Sequence, residues 1–291
     1  MWQAHYVTNR LREIAGGHTI ELVPVSTIGD RDRTEPLANM GGMGVFTREV
    51  QRVVLDGHAD LAVHSLKDLP TETIEGLALA GIPERAPRCD ALILPMTDDL
   101  DCLPQNARIG TGSLRRQAQL LSARPDLEVL NIRGNVETRL KKLNDGEYDA
   151  IILAEAGLRR LNLDENIHSI LGPPLMLPAV GQASLGIECR SDDTLVIELL
   201  SKISDKTTRA EVLAERACLR TLRAGCHAPV GTLTTVDGQS LSLEAVVLTP
   251  DGLQRFQVQE VGDVDDPETL GARVAEQLIE QGASAILHSE D

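Results

Sequence analysis

Arginines collect in short motifs near predicted strand ends of an otherwise acidic chain. The formal net charge is -16, yet Arg115, Arg116, Arg133 and Arg139 follow one another closely. Arg115 and Arg116 fall in the first turn of a predicted helix, where the partial positive charge of the helix N-terminus favours anions. Two cations at that place call for an anion, so we expect a ligand that carries carboxylates or phosphates. The alternative is ordinary helix-surface arginines, a reading that does not account for their first-turn position.

A single carboxylate stands out in the segment His64–Pro70. Asp68 follows a predicted buried strand and stands beside Lys67, and Pro70 prevents a regular helix from beginning there. An acid fixed at the end of a strand is a candidate general acid or base, or a group that stabilises a developing cation. The alternative is a solvated Lys–Asp pair on a turn.

A single thiol stands out in a predicted loop after a helix. Cys226 lies between Gly225 and His227, with Pro229 close behind. The glycine frees the backbone, and nearby cations favour the reactive thiolate. The alternative is an inert loop cysteine. The chain has five cysteines and no pair with the spacing of a metal site, so free thiols in a reducing cytoplasm are expected.

Composition narrows the class of ligand. The sequence pI is about 4.9 and aromatic residues make up 2% of the chain. Nucleic-acid sites need a basic face or aromatic stacking platforms, so no nucleic-acid partner is expected. No apolar run is long enough to span a bilayer, so no membrane partner is expected either. The prediction is a protein that binds a small anionic molecule.

Strand and helix patterns alternate over the first two thirds of the chain. Strands are predicted at 20–25, 60–63, 77–81, 91–94, 107–110, 127–132 and 150–154, and helices at 1–15, 47–55, 114–123 and 136–143. Such alternation predicts parallel, doubly wound sheets. Their ligands bind at the carboxyl ends of strands, which is where the motifs fall. A domain of this type usually opens with a strand, whereas this sequence opens on a helix.

The last third has a different pattern. A helix at 207–222 precedes the Cys226 loop, and three strand-like runs follow with turns at 236–238 and 250–252. A helix at 267–281 and a final strand at 283–288 complete the pattern. The expectation is a small α+β domain.

Six motifs, in this order and spacing, carry a resemblance to a known family. They are Leu61–Pro70, Gly110–Gln117, Arg133–Leu140, Tyr148–Ala154, Leu177–Gln182 and Gly186–Arg190. Together they resemble the porphobilinogen deaminase, or hydroxymethylbilane synthase, family. The resemblance implies an α/β fold of two doubly wound lobes, similar to type II periplasmic binding proteins, plus a small C-terminal α+β domain. The implied divisions are 1–86 with 184–201 for the first lobe, 87–183 for the second and 206–291 for the third domain.

The resemblance also implies a chemistry. Cys226 would carry a dipyrromethane cofactor through a thioether bond, and four porphobilinogen units would join head to tail with loss of ammonia. Asp68 matches the family's catalytic aspartate, and no metal is implied. The other residues implied in cofactor binding are Ser65, Lys67, Thr111, Ser113, Arg115, Arg116, Arg133 and Gly134. Those implied in substrate binding are Arg133, Arg139, Arg160 and Phe46. The family is typically monomeric and cytoplasmic.

The sequence departs from the family pattern at several points. The family's first strand, with its Arg-x-Gly-Thr-Arg-x-Ser stretch, is not found, and Asn39 and Met43 stand where lysines are usual. Ala224 replaces the first glycine of the cysteine loop. Two other functions are therefore compatible with the sequence: a catalytically impaired homologue that lacks the first strand, or a two-lobed protein that binds organic anions.

Overall fold

The computed structural model describes residues 1–14, 16–25, 47–94, 100–225 and 227–288. The helices are α1 (Trp2–Arg12), α2 (Arg48–Leu55), α3 (Leu114–Ala123), α4 (Val136–Asn144), α5 (Glu155–Arg160), α6 (Thr194–Ile203), α7 (Lys206–Thr221), α8 (Pro267–Gln281) and α9 (Ala283–Leu287). The strands are β1 (Leu61–Ser65), β2 (Leu77–Gly81), β3 (Asp90–Ile93), β4 (Arg108–Gly110), β5 (Glu128–Leu130), β6 (Ala150–Ala154), β7 (Ser169–Leu171), β8 (Leu185–Arg190), β9 (Val230–Asp237), β10 (Ser240–Leu248) and β11 (Arg255–Asp263). Short 3-10 turns cover Leu66–Asp68, Leu100–Cys102 and Asp164–Asn166.

The largest sheet has the strand order β5-β4-β6-β3-β7. Its central strands are buried on both faces, because Leu92 and Ile152 belong to one apolar core and Ile93 and Ile151 to another. Strands covered on both faces are expected to be continuously apolar, as β3 and β6 are after Asp90. The predicted parallel pairing holds for β4 with β5 and β6. It is wrong for β3, which runs antiparallel to both of its neighbours because it enters the sheet from the opposite end.

A second sheet joins two distant parts of the chain. Its order is β1-β8-β2, with β8 antiparallel to both neighbours. Helix α1 covers it, since Val7 and Leu11 are buried in the same cluster as Ile187. The predicted strand at 20–25 is wrong: these residues form no regular element. Their alternating pattern finds no strand to pair with among the described residues, and an unpaired strand leaves its backbone groups without partners.

The C-terminal unit packs two long helices on a three-stranded antiparallel sheet, β11-β10-β9. Leu241, Leu243 and Ala245 alternate along β10 into its core. Helices α7 and α8 approach so closely that a Cβ at Gly271 would lie 2.2 Å from the carbonyl oxygen of Ala214. The predicted final strand is wrong, because residues 283–287 form helix α9. Its alternating apolar residues pack on the core from a short helix, a conformation that alanine favours.

A buried carboxylate on α7 ties together the two segments that connect the sheets. Glu215 accepts hydrogen bonds from Arg85 Nη1 at 2.6 Å and from the Gly181 amide at 2.8 Å. Arg85 Nε also donates to the carbonyl of Gln182. Burial alone would raise the pKa of Glu215, but the Arg85 charge and the hydrogen bonds from Arg85, the Gly181 amide and Thr234 together hold that pKa below its ordinary value. Both crossing segments, that is, the two chain segments that connect the sheets, are thus fixed to the same helix.

These elements confirm the expected α/β class with a small C-terminal domain. Among the described residues, no helix combines the length and apolar character needed to cross a bilayer.

Candidate functional site

The turn that carries Asp68 is held at the carboxyl end of β1. The strand ends at Ser65, and a single 3-10 turn covers Leu66–Asp68. Leu66 is buried and its amide donates to the carbonyl of Ser184 at 3.0 Å. Lys67 is half-buried, whereas Asp68 is exposed. The backbone is therefore fixed while the carboxylate faces solvent, an arrangement suited to proton transfer or to contact with a ligand.

Arg115 and Arg116 lie at the start of α3 as predicted, but their main partner is a residue of the protein itself. Both are buried and contact Asp90, the first residue of β3. Arg115 Nη1 donates to Asp90 Oδ2 at 2.7 Å, and Arg116 donates to Oδ1 from Nε at 3.0 Å and from Nη2 at 2.8 Å. Gln182 Nε2 adds a further hydrogen bond to Oδ1 at 2.9 Å. The anion that the first-turn arginines required is, in large part, Asp90.

This pairing shapes the charge of the site. Burial alone would raise the pKa of Asp90, but the charges of Arg115 and Arg116 outweigh it and hold that pKa well below its ordinary value. Asp90 is therefore ionised at neutral pH, and one positive charge of the arginine pair stays uncompensated. Burial lowers the pKa of Lys67, an effect that Asp68 opposes and Arg116 reinforces. An added anion would favour the charged form of this lysine.

Arg133 and Arg139 extend the positive region. Arg133 follows β5, and Asn135 caps α4, with Oδ1 accepting from the Thr138 amide at 2.8 Å. Arg139 Nε donates to the carbonyl of Gly134 at 2.8 Å. Burial, together with the charges of Arg116 and Arg133, lowers the pKa of Arg139. Within the described ranges neither Arg133 nor Arg139 is paired with a carboxylate, so both are available to an anionic ligand.

The two hydroxyl residues of the same loop have different environments. Thr111 is buried, and its Oγ1 accepts a hydrogen bond from the Ser113 amide at 3.2 Å. Ser113 is the N-cap of α3, yet its side chain makes no capping hydrogen bond. The Ser113 hydroxyl is thus open to another partner. Ser65, the last residue of β1, is half-buried and pairs with Leu185.

One cavity brings several of these residues together with the C-terminal domain. Lys67, Ser113 and Arg115 line it from the sheets, and Gly225 and Ala228 line it from the C-terminal side. The latter two flank Cys226 in the sequence. Cys226 itself, like Phe46, Asn39 and Met43, lies outside the described residues. The cavity therefore joins the predicted anion-binding residues to the backbone on either side of the predicted thiol.

Arg160 has a different set of neighbours from the other arginines. Its Nη2 donates to the carbonyl of Ala183 at 2.7 Å, and its guanidinium lies over the Trp2 ring, 5.4 Å from the centroid. Trp2 in turn stacks on Tyr6. Burial lowers the pKa of Arg160. These contacts link α5 to α1, and none of them involves the other site arginines.

Two residues of the site were missed from the sequence. Asp90 was not singled out from the sequence, although an acid at the head of an apolar strand signals a buried partner for nearby arginines. Arg216, on α7, lines the cavity and donates to the carbonyls of Leu69 and Pro70. In the sequence, Arg216 fits an ordinary amphipathic helix pattern, which gives no separate signal of a functional role. No group of residues that could hold a metal ion is found within the part of the chain that the structure describes.

The match to a known family covers nearly the whole chain. A family model described as "Porphobilinogen deaminase, dipyromethane cofactor binding domain" matches residues 1–198, and one described as "Porphobilinogen deaminase, C-terminal domain" matches residues 209–280. The chain belongs to the porphobilinogen deaminase family. This confirms the resemblance stated from the motifs, and it places the chain among transferases of tetrapyrrole biosynthesis whose N-terminal region binds a dipyrromethane cofactor.

Two bacterial proteins of solved structure are similar to this porphobilinogen deaminase family member at low identity. The periplasmic VFT2 domain of BvgS from Bordetella pertussis is 16% identical, with a TM-score of 0.41 over 69% of this chain and 75% of that chain. The probable amino-acid ABC transporter extracellular-binding protein ytmK from Bacillus subtilis is 11% identical, with a TM-score of 0.41 over 75% of this chain and 86% of that chain.

The residues present fit the dipyrromethane cofactor of the porphobilinogen deaminase family, whose pyrroles carry acetate and propionate groups. Arg115 Nε is a buried donor without a hydrogen-bond partner in the part of the chain that the structure describes, and buried donors are rarely left so. Lys67 and Ser113 line the same cavity without side-chain hydrogen bonds among the described residues. These donors suit carboxylates, for which arginine offers fork-shaped pairs of N–H groups.

Proposed function

We propose that this chain polymerises four porphobilinogen units head to tail, with release of ammonia, into linear hydroxymethylbilane. The observation that carries the proposal is the cavity shared by Lys67, Ser113 and Arg115 with the residues that flank Cys226. A cofactor attached to Cys226 would lie against donors that suit its carboxylates. When bound, it supplies the primer to which the first substrate pyrrole is joined.

The arginines would serve the growing product. Each added pyrrole brings an acetate and a propionate, so negative charge accumulates as the chain lengthens. Arg133 and Arg139 have no carboxylate partner among the described residues, and we assign them to these groups. Thr111, Arg116 and Gly134 would shape the cofactor side of the same surface. Charge-assisted bidentate hydrogen bonds give such contacts their strength and direction.

Asp68 would carry the proton chemistry. Its carboxylate is exposed at the end of a fixed turn, and its neighbours Lys67 and Leu69 line the cavity. There it would assist loss of the amine and stabilise positive charge on the pyrrole nitrogens. Ser65 and Lys67 would hold the cofactor beside it. Arg160 and Phe46 are further candidates for substrate contacts, with Arg160 first having to leave Trp2.

The proposal includes an organisation into two lobes, 1–86 with 184–201 and 87–183, and a third domain, 206–291. The pairing of β8 with β1 and β2 supports the return of the chain to the first lobe. It also includes action as a cytoplasmic monomer.

Intact-protein mass spectrometry tests the assignment. We expect a covalent dipyrromethane adduct that is lost in Cys226→Ser and kept in Asp68→Ala, with turnover of porphobilinogen lost in both. Unmodified protein that binds organic anions reversibly would instead identify a binding protein. An adduct without turnover in the unaltered chain would identify an impaired homologue, and a fully active Asp68→Ala variant would remove Asp68 from the mechanism.

A further inference from the structure

Arg216 projects from α7 into the turn that carries Asp68. Its side chain is buried, with 7% of the residue exposed. Nη1 donates to the carbonyl of Leu69 at 2.9 Å, and Nη2 donates to the carbonyl of Pro70 at 2.7 Å. These carbonyls belong to the two residues that directly follow Asp68. Both ends of the guanidinium fork are thus used on the backbone of one turn.

No carboxylate of the described ranges contacts the Arg216 guanidinium directly. Within the described residues, its hydrogen bonds go to these two carbonyls alone. Burial lowers its pKa to about 10, against the influence of Glu188, so it is charged at neutral pH. Burying a cation without a paired anion is costly. An apolar residue at this position would pack without the free-energy cost of burying a charge. The presence of an arginine there indicates that its two hydrogen bonds to the turn have a specific use.

The turn is held from both sides. The Leu66 amide donates to the Ser184 carbonyl before Asp68, and Arg216 holds the carbonyls after it. Pro70 has no backbone amide to donate and fixes its own φ angle. Rotation of the Asp68 backbone is therefore restricted by partners from two distant segments of the chain.

The helix that supplies Arg216 also leads to the cysteine loop. Helix α7 ends at Thr221, and Ala224 and Gly225 line the same cavity as Arg216. The chain from Arg216 to Gly225, the residue before Cys226, is therefore a short and largely helical segment. Groups on rigid elements keep their mutual geometry better than groups on loops.

We propose that Arg216 is a positioning residue that sets the Asp68 turn relative to the loop that holds Cys226. This inference rests on the proposed function in assigning catalysis to Asp68. A displacement of about 1 Å can cost about a hundredfold in rate when a reacting group is misplaced. Arg216 would therefore act on the chemical step through Asp68, without contacting the reacting atoms.

The test compares Arg216→Gln and Arg216→Lys with a matched control, Arg220→Gln. Arg220 lies one turn further along α7, is exposed and contacts only Glu268 among described partners. In Arg216→Gln we expect kcat to fall about 10- to 100-fold with KM nearly unchanged, because the acid is misplaced while the ligand donors stay. Arg216→Lys, which keeps the charge but offers no fork, should fall between wild type and Arg216→Gln. Arg220→Gln should behave as wild type.

Hydrogen exchange provides a readout that does not depend on activity. We expect faster amide exchange in a peptide covering residues 66–71 of Arg216→Gln, with unchanged exchange along α7. A rise in KM with unchanged exchange in the turn would show direct substrate contact and overturn the positioning role. Faster exchange throughout α7 would show a structural role and overturn it as well.

The outcomes separate this inference from the proposed function. If wild type carries no adduct and has no turnover, the proposed function fails, while exchange in the turn still decides whether Arg216 orders it. If wild type is active and the Arg216 variants match Arg220→Gln, the positioning role alone fails. Should Arg216→Gln not fold, Arg216→Lys carries the same comparison.

Discussion

Replacing Asp90 with asparagine should show how much the Asp90 carboxylate stabilises the buried arginine pair. Asp90→Asn keeps the shape of the side chain but removes the carboxylate that both Arg115 and Arg116 contact. Three hydrogen bonds from the two guanidiniums, of 2.7, 3.0 and 2.8 Å, lose their charged acceptor. Two adjacent buried cations then face each other without an anion. Removing one partner of a buried ion pair costs about 3–5 kcal/mol.

The retained amide oxygen of asparagine can still accept some of these hydrogen bonds. We therefore expect the free energy of unfolding to fall by an amount at the lower end of this range, about 3 kcal/mol. That corresponds to roughly a hundredfold fall in the ratio of folded to unfolded protein, at about 1.4 kcal/mol for each factor of ten. Urea denaturation followed by circular dichroism measures the loss. The matched control is Asp149→Asn, because Asp149 also binds an arginine, Arg108, but at the surface. Solvent screens the Asp149–Arg108 pair. Asp149→Asn should therefore lower the free energy of unfolding by only a small fraction of the amount lost in Asp90→Asn.

The pH dependence of the same variant gives an independent check. The folded pKa of Asp90 is lowered, so its ion pairs contribute fully above the unfolded pKa of about 4 and are lost as the pH falls through the folded value. The stability difference between wild type and Asp90→Asn should be constant near neutrality and shrink only in acid. Equal losses for Asp90→Asn and Asp149→Asn, or a difference that grows in acid, would refute the reasoning.

Two further predictions concern contacts between elements. Gly252→Ala should destabilise the protein by about 1–3 kcal/mol in thermal denaturation, because a Cβ there would lie 2.4 Å from the Ser122 amide nitrogen of α3. Gly238→Ala, which also has a positive φ but open space around it, is the control, and equal losses would show backbone strain alone. A double-mutant cycle of Arg160→Leu and Trp2→Leu should give a coupling of about 0.5–1 kcal/mol from their cation–π contact. A coupling of zero would mean that the ring and the guanidinium stabilise the fold independently.

Elements with strong local signals were predictable from the sequence. Helix α3 matches its predicted bounds, 114–123, and α8 matches 267–281, where Pro267 begins the helix and Gly282 ends it. The segment 20–25 alternates like a strand but has no strand partner in the described structure. At 283–287 the same kind of short apolar pattern forms a helix. In both segments the local sequence pattern is compatible with more than one secondary structure. Tertiary contacts determine which one forms.

The site shows the same division between local and long-range information. The Asp68 turn and the first-turn arginines are local features, and each lies where it was predicted. The partner of Arg115 is 25 residues away and that of Arg216 is 147 residues away in sequence. Periodicity carries no information about such pairs. The roles assigned to the site residues stay predictions until the variants are measured.

The Glu215 cluster has a consequence for the order in which the protein is made. Arg85 and Gly181 emerge from the ribosome well before Glu215, and among the described residues the carboxylates that contact Arg85 Nη1 and Nη2, those of Glu215 and Glu211, both belong to α7. A nascent chain that ends before α7 therefore lacks the carboxylate that joins the two crossing segments to one helix, and the Nη1 and Nη2 groups of Arg85 stay solvated. Synthesis of α7 supplies the Glu215 carboxylate, so that the Arg85 guanidinium can be buried and both crossing segments attach to the same helix. The C-terminal domain thus completes the fold of what precedes it, and a chain truncated before residue 206 would be a natural substrate for proteolysis at its crossings.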